Sequence, residues 1–492
     1  MSSNTTRPHV NGHLGSLNRV VSRGAWFYLA AIAVAACLSA AMIQVVDVLG
    51  ASGVNSDHPR ARALVVCVAL VSLSLAPYAV WASRWNIPAH TQLAFALVAY
   101  VIPIGLLGTL DEADPTVVGL YAKIVVLGAA AFFVGVLLGA PIAGLACWRP
   151  ASDFVRRSAI NAESVAPKRI ALLSAACLAG MLFSFAVMGF IPALSADPFS
   201  AKFFRGAYAE AYGPIAPIYR FSTTILALLL PQLTVYALQR SQFVWKLLLG
   251  GALIVMLLSL QRGPAISGVL LAVGVVLAMK GRGMWLYILG LAGVYFAGSV
   301  VYEILAQFGF QAFANANTNS AGLLGRAAAG APDVSDQMTF LTYWLARPEF
   351  TNGLTFVGGL IPGNFHWNPS VWSLAVINPG QEVSAVVSGG LRLPAPLWGF
   401  VSFGWLGVVG VSLISGVLTG LITRIARTLI PSSNVAGSLM LLTLYLAIQE
   451  VVPAFYRLGY LSIVALAVLM YVYFWRSDGT EQAVRPKQDD TC

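Results

Sequence analysis

The chain has 492 residues, 58% of them hydrophobic and 10% charged, with a mean hydropathy of +0.78 and a formal charge of +10. A soluble domain carries about 25% charged residues, so this composition excludes a soluble globular protein and points to a membrane protein. The apolar runs are continuous rather than alternating, which excludes a transmembrane barrel. The basic residues are scattered over many short segments instead of forming a nucleic-acid-binding face.

Residues 1–25 are polar, carry Arg7, Arg19 and Arg23, and read as a cytoplasmic tail. The apolar run that begins at Trp26 is too long for a cleavable signal peptide and reads as the first membrane helix. At about 20 apolar residues per crossing, the sequence predicts an all-α polytopic protein with twelve spans. They fall at 26–49, 63–82, 91–110, 116–147, 169–193, 215–238, 244–260, 264–279, 284–305, 397–423, 434–450 and 459–475. The fourth is overlong and is expected to tilt or break near Gly128. Residues 26–305 thus form a first helical block, 306–396 a large loop with short helices capping the bundle, 397–475 the last three helices and 476–492 a second cytoplasmic tail.

Lysine and arginine mark the cytoplasmic side of a membrane protein. The densest basic cluster is Arg149, Arg156, Arg157, Lys168 and Arg169, whereas Asp111, Glu112 and Asp114 crowd a segment of the opposite side. Both termini are therefore expected inside and the large loop outside. The run 247–279 would be about 50 Å long as one helix, against a hydrocarbon core of about 30 Å. It is expected to form two short spans joined at Gln261-Arg262-Gly263-Pro264, with Arg262 at the outer interface.

The chemistry-bearing residues collect on that outer side. Arg205, Arg220, Arg262, Arg392 and Arg457 are outer arginines against the usual bias, so each needs a reason to be there. In "KFFRGAYAEAYG" (202–213), Lys202, Arg205, Tyr208 and Tyr212 share one face if the stretch is a single helix. Such a face suits a lipid diphosphate and its sugars; it equally suits an ordinary interfacial helix with snorkelling Lys and amphipathic Tyr. In "GNFHWNPSVW" (363–372), His366, Trp367 and Asn368 offer proton transfer, sugar stacking and hydroxyl hydrogen bonding. Glu382 is a second candidate base, and Glu450 is expected to pair with Arg457 across a Pro-containing turn. No phosphate-binding loop, metal-ligand spacing or serine elbow is present.

Three features resemble the bacterial O-antigen polymerases, the oligosaccharide repeat-unit polymerases of the Wzy type. They are the "SLQRG" turn before a helix, the Arg-Gly segment "FFRGAYAEAYG", and "PAPLWGFVSFGWLGVVGVSLISG", in which a Pro-rich stretch runs into an FGxxG helix start. The resemblance covers about 200–475. It implies a GT-C-like membrane glycosyltransferase that joins undecaprenyl-diphosphate-linked oligosaccharides into O-antigen or exopolysaccharide at the outer face of the bacterial inner membrane. Arginines would stabilise the departing diphosphate, and His366 or Glu382 would serve the acceptor hydroxyl. No cofactor is implied. Its partners would be the lipid-linked oligosaccharides, membrane lipids, a chain-length regulator and a flippase. A ligase acting on the same carrier and a flippase for it are the alternatives.

Overall fold

The computed structural model describes residues 59–106, 108–110, 113–145, 149–297, 333–361, 366–381, 390–430 and 435–474. Every regular element among them is a helix. In chain order these are α1 (Pro59–Val80), α2 (Ile87–Ala96, continued by a π-helical stretch Leu97–Leu106), α3 (Pro115–Leu145), α4 (Arg149–Met188), α5 (Pro198–Phe203), α6 (Ala207–Tyr212), α7 (Ala216–Gln239), α8 (Phe243–Leu258), α9 (Arg262–Lys280) and α10 (Met284–Ala297). After the described part of the loop begin α11 (Asp333–Ala346), α12 (Leu354–Gly358), α13 (Pro369–Ile377), α14 (Ala395–Leu429), α15 (Val435–Val451) and α16 (Tyr460–Phe474).

Among the described residues, six helical stretches are long and apolar enough to cross a membrane, and five more are apolar but shorter. The protein is a helical membrane protein. The first expected span, 26–49, lies outside the described residues, and each later one falls on a helix or begins on one. Contacts between helix ends sort them onto two faces. On one face Arg62 donates to the Pro115 carbonyl at 3.4 Å, and the Tyr460 amide donates to the Gly359 carbonyl at 3.0 Å. On the other, Arg427 donates to Val80 at 2.9 Å, and Arg169 reaches the Tyr471 and Val472 carbonyls at 3.3 and 3.4 Å. The first face is the one expected outside and the second the one expected inside.

Small residues let the two longest apolar helices approach closely. A Cβ built on Gly135 or Gly139 of α3 would stand 2.3 and 2.0 Å from carbonyl oxygens of α14; one on Gly416 or Gly420 would meet α3 carbonyls at 2.1 and 2.2 Å. Within a bilayer, where burial of apolar surface gives little drive, such backbone contact is what holds helices together. α3 does not break at Gly128 as expected. It continues through, and the missing Cβ of Gly128 makes room for the ring of Pro396.

The expected span 397–423 is also corrected. Within α14, Phe403 (φ −140°, ψ 21°) and Gly404 (φ 61°, ψ −144°) leave the helical region, and the chain doubles back there. Gly399 and Gly407, which would be about 12 Å apart in a straight helix, touch: a Cβ on either would lie 2.2 or 2.0 Å from the other's carbonyl oxygen. Farther from the turn, Pro396 and Ser412 meet at the same point on α3, Gly128. Residues 395–402 are therefore a short re-entrant leg, and 405–429, about 37 Å long, is the spanning leg. In the re-entrant leg Leu397, Trp398 and Val401 are all buried, whereas Phe403 at the turn is 48% exposed.

The described part of the large loop forms short helices wedged into the bundle. Gln337 of α11 accepts from the Tyr121 hydroxyl of α3 and donates to the Arg392 carbonyl at 3.1 Å. Trp372 of α13 is buried between Phe340 and Trp398, with ring centroids 5.7 and 5.8 Å away.

Candidate functional site

The stretch 198–220 is not one helix, so the expected shared face of Lys202, Arg205, Tyr208 and Tyr212 is corrected. Asp197 caps α5, its side chain accepting from the Ser200 amide at 3.1 Å. α5 ends at Phe204, which takes a left-handed φ of 55°, and Gly206 follows at φ 56°, ψ −131°. That combination is open only to glycine. The turn separates Lys202 from Tyr208 and Tyr212 and folds Phe204 back. Its ring stacks on Tyr212 at 3.6 Å with an interplanar angle of 8°, and its edge meets Tyr219 at 5.0 Å.

This aromatic wall fixes Arg220. Its Nε donates to the Tyr212 hydroxyl at 2.6 Å, with the guanidinium 5.6 Å from the ring centroid. The Tyr460 hydroxyl at the start of α16 also faces this guanidinium. Arg205 stands close enough to feel the Arg220 charge. Like charges near one another repel, and an anion bearing more than one charge would relieve that repulsion. Tyr208 turns to local structure: its hydroxyl accepts from the Asp197 amide at 3.3 Å and its ring meets Phe190 edge-on at 4.7 Å.

Below Arg220 runs a groove of about 490 Å³ between α4, α7 and α16, lined by Leu173, Cys177, Gly180, Ile218, Phe221, Tyr460 and Val464. It opens sideways, with Ile218 44% exposed on its rim, so in a membrane it faces the acyl chains. Gly180 lets α4 and α7 approach closely beside it, since a Cβ there would stand 2.5 Å from the Ser222 hydroxyl. The pairing of fixed guanidinium and apolar side groove suits an amphiphile with an anionic head.

The remaining expected residues distribute as follows. The turn between α8 and α9 lies at Ser259–Gln261, with Leu260 at φ 57°, two residues before the expected place. Arg262 opens α9, Gly263 and Pro264 sit in its first turn, and the Arg262 side chain lies outside the described residues. The Ser259 hydroxyl in this turn donates to the Val255 carbonyl at 2.7 Å. Arg457 pairs with Glu450 at 3.2 Å as expected, both side chains well exposed, so the pair contributes about 0–1 kcal/mol. His366 is exposed and meets Trp367 edge-on at 4.7 Å. Asn368 caps α13, accepting from the Ser370 amide at 3.1 Å, a structural use of the side chain. Arg392 is exposed, and Glu382 lies outside the described residues.

Two contacts join the His366–Trp367 turn to Tyr460. Gly358 packs directly on the Trp367 backbone, where a Cβ would be 2.1 Å from the carbonyl oxygen. Next to it, Gly359 accepts from the amide of Tyr460, the residue that faces Arg220. Tyr460 is the residue of this candidate site that sequence reasoning missed. Its signal was faint: an aromatic residue opening the last helix, 240 positions from the arginine it lies near. Among the described residues, no three His, Cys, Asp or Glu side chains gather to hold a metal ion.

No protein-family model matches the chain, and no curated protein or solved structure matches it either.

Proposed function

We propose that the protein is a membrane glycosyltransferase that polymerises undecaprenyl-diphosphate-linked oligosaccharide units into O-antigen or exopolysaccharide at the outer face of the bacterial inner membrane. The observation that carries this reading is Arg220, fixed by Tyr212 beside Arg205 above a groove open to lipid. A polyprenyl diphosphate has the matching parts: a doubly charged head and a tail whose first isoprene units fill a lateral apolar groove. Pockets of about 300–1,000 Å³ are the usual size for a bound small ligand.

In the reaction the bond from the anomeric carbon to the diphosphate oxygen breaks while the acceptor hydroxyl oxygen bonds to that carbon. Arg220 and Arg205, with Arg262 from the start of α9, stabilise the charge that develops on the leaving phosphate. His366 or Glu382 takes the acceptor proton, and Trp367 offers a stacking face for a sugar ring. The diphosphate leaves with the electron pair and stays in the membrane on its lipid.

The test is turnover in lipid nanodiscs with a synthetic polyprenyl-diphosphate oligosaccharide. The expected products are a ladder of glycan lengths and free polyprenyl diphosphate. Single transfer to a lipid A core or protein acceptor would identify a ligase on the same carrier, and translocation of intact substrate without diphosphate release would identify a flippase.

A further inference from the structure

The segment from Phe350 to Ile361, "FTNGLTFVGGLI", carries no charged residue, and its exposed side chains are apolar except for Asn352. Phe350, Leu354, Val357 and Ile361 are 48, 43, 46 and 53% exposed. Leu354, Val357 and Ile361 are three and four positions apart and lie on one side of α12 and the turn after it. The opposite side is held by protein. Thr351 donates its amide to Val401 at 3.0 Å and shares a hydroxyl hydrogen bond with Ser402 at 2.9 Å, while Gly358 and Gly359 lie against Trp367 and Leu458.

This apolar surface does not stop at the loop. Phe356 meets Phe403 edge-on at 6.0 Å, and the Phe403 ring fills the space beside Gly353. From Phe403 an exposed apolar stripe runs down the spanning leg of α14 through Leu406 (85% exposed), Val409 and Ile414. On a spanning helix such a stripe faces acyl chains, because no other partner spares so much apolar surface from water. The chain returns to charged, exposed residues at Arg347 and Glu349.

We infer that α12 and its flanking turns are embedded in the outer leaflet, with Leu354, Val357 and Ile361 among the lipid acyl chains, so that the outer loop is anchored in the bilayer as well as in the protein. The partner surface is the acyl-chain region of the bilayer itself, with which the adjoining α14 stripe makes it continuous. The anchor lies directly behind the Trp367 backbone and the Gly359–Tyr460 hydrogen bond, so it holds both at a fixed depth. The inference does not depend on the proposed reaction.

The experiment uses the full chain in phosphatidylcholine vesicles, with native cysteines replaced and a bimane fluorophore on Val357→Cys or, in a second variant, Ile361→Cys. A control label sits on Glu349→Cys. Nitroxide-labelled acyl chains should quench the Val357 and Ile361 labels at least about twofold more than the Glu349 label, and aqueous iodide should show the reverse order. Iodide quenching of the Val357 and Ile361 labels equal to that at Glu349 would overturn the inference. So would a label reached by neither quencher, since that face would then lie against protein. Two sites read one surface, so misfolding of one variant leaves the other to decide.

Discussion

The Arg220 Nε hydrogen bond to the Tyr212 hydroxyl, at 2.6 Å, is short and charge-assisted, and it sets the direction in which the rest of the guanidinium points. Replacing Arg220 with Ala removes the charge and should lower diphosphate release about 10²–10³-fold, the usual cost of losing one electrostatic stabiliser of developing charge. Arg220→Lys keeps the charge but loses the planar fork, and is expected to remain clearly impaired. Tyr212→Phe keeps the charge and the stacked ring while freeing the guanidinium to turn, so its loss should be smaller than that of Arg220→Ala. Equal turnover in wild type and Arg220→Ala, at matched protein level, would remove Arg220 from the reaction.

The Asp197 cap supplies a pH-dependent expectation. Hydrogen bonds from the Ser200 side chain and amide hold its carboxyl below the ordinary carboxylate range. A depressed pKa contributes stability that is complete above the unfolded value of about 3.9 and is lost as the pH falls through the folded value. The Asp197→Ala variant should therefore be less stable than wild type by about 0.5–2 kcal/mol across pH 5–8, with the gap narrowing below pH 4. Thermal melts of the detergent-solubilised protein measure it. A gap that opened only above pH 6 would assign the effect to another group.

Much of the architecture was legible because it rests on long apolar runs, and these mark membrane helices with little help from tertiary contacts. What the sequence hid depends on backbone angles at single residues and on distant partners. Gly404 sits between apolar neighbours on both sides, so the run reads as one helix although the chain reverses there. Phe204 and Gly206 break a stretch whose spacing of charges and aromatics otherwise fits one helical face. The arginines expected outside stood out as exceptions to a charge bias, and of these Arg205 lies near enough to Arg220 to feel its charge. That Arg457 instead pairs with Glu450 was legible from their spacing. The bond between Tyr460 and Gly359 of the large loop had no local signature.

His366 and Trp367 separate a catalytic from a purely structural turn. If His366 accepts the acceptor hydroxyl proton, His366→Ala should lower turnover about 10²–10⁴-fold, and the pH–rate profile of the wild type should show a limb that the variant lacks. Substrate binding should change little, because the diphosphate contacts lie on the Arg220 side. Normal glycan ladders from His366→Ala, with the same pH profile, would leave Glu382 as the remaining candidate base and assign His366 to packing against Trp367.

The helical hairpin of α14 can be tested by two glycines six positions apart. Gly404 lies at φ 61°, ψ −144°, a region where any side chain meets its own backbone, so Gly404→Ala should destabilise the protein by about 1–3 kcal/mol. Gly410 lies farther along the spanning leg, and a Cβ there meets nothing within 4 Å. Gly410→Ala gains helix propensity of about 1 kcal/mol and should be neutral or mildly stabilising. In a continuous helix both substitutions would act alike, since alanine favours helix at either place. Opposite signs in melting temperature support a reversal at Phe403–Gly404, and matching signs would restore a straight span. The Gly404 variant should also be cut faster by protease added from outside. Its turn holds Thr351 and Phe356 through Val401, Ser402 and Phe403, so loosening it releases the loop that carries His366 and Trp367.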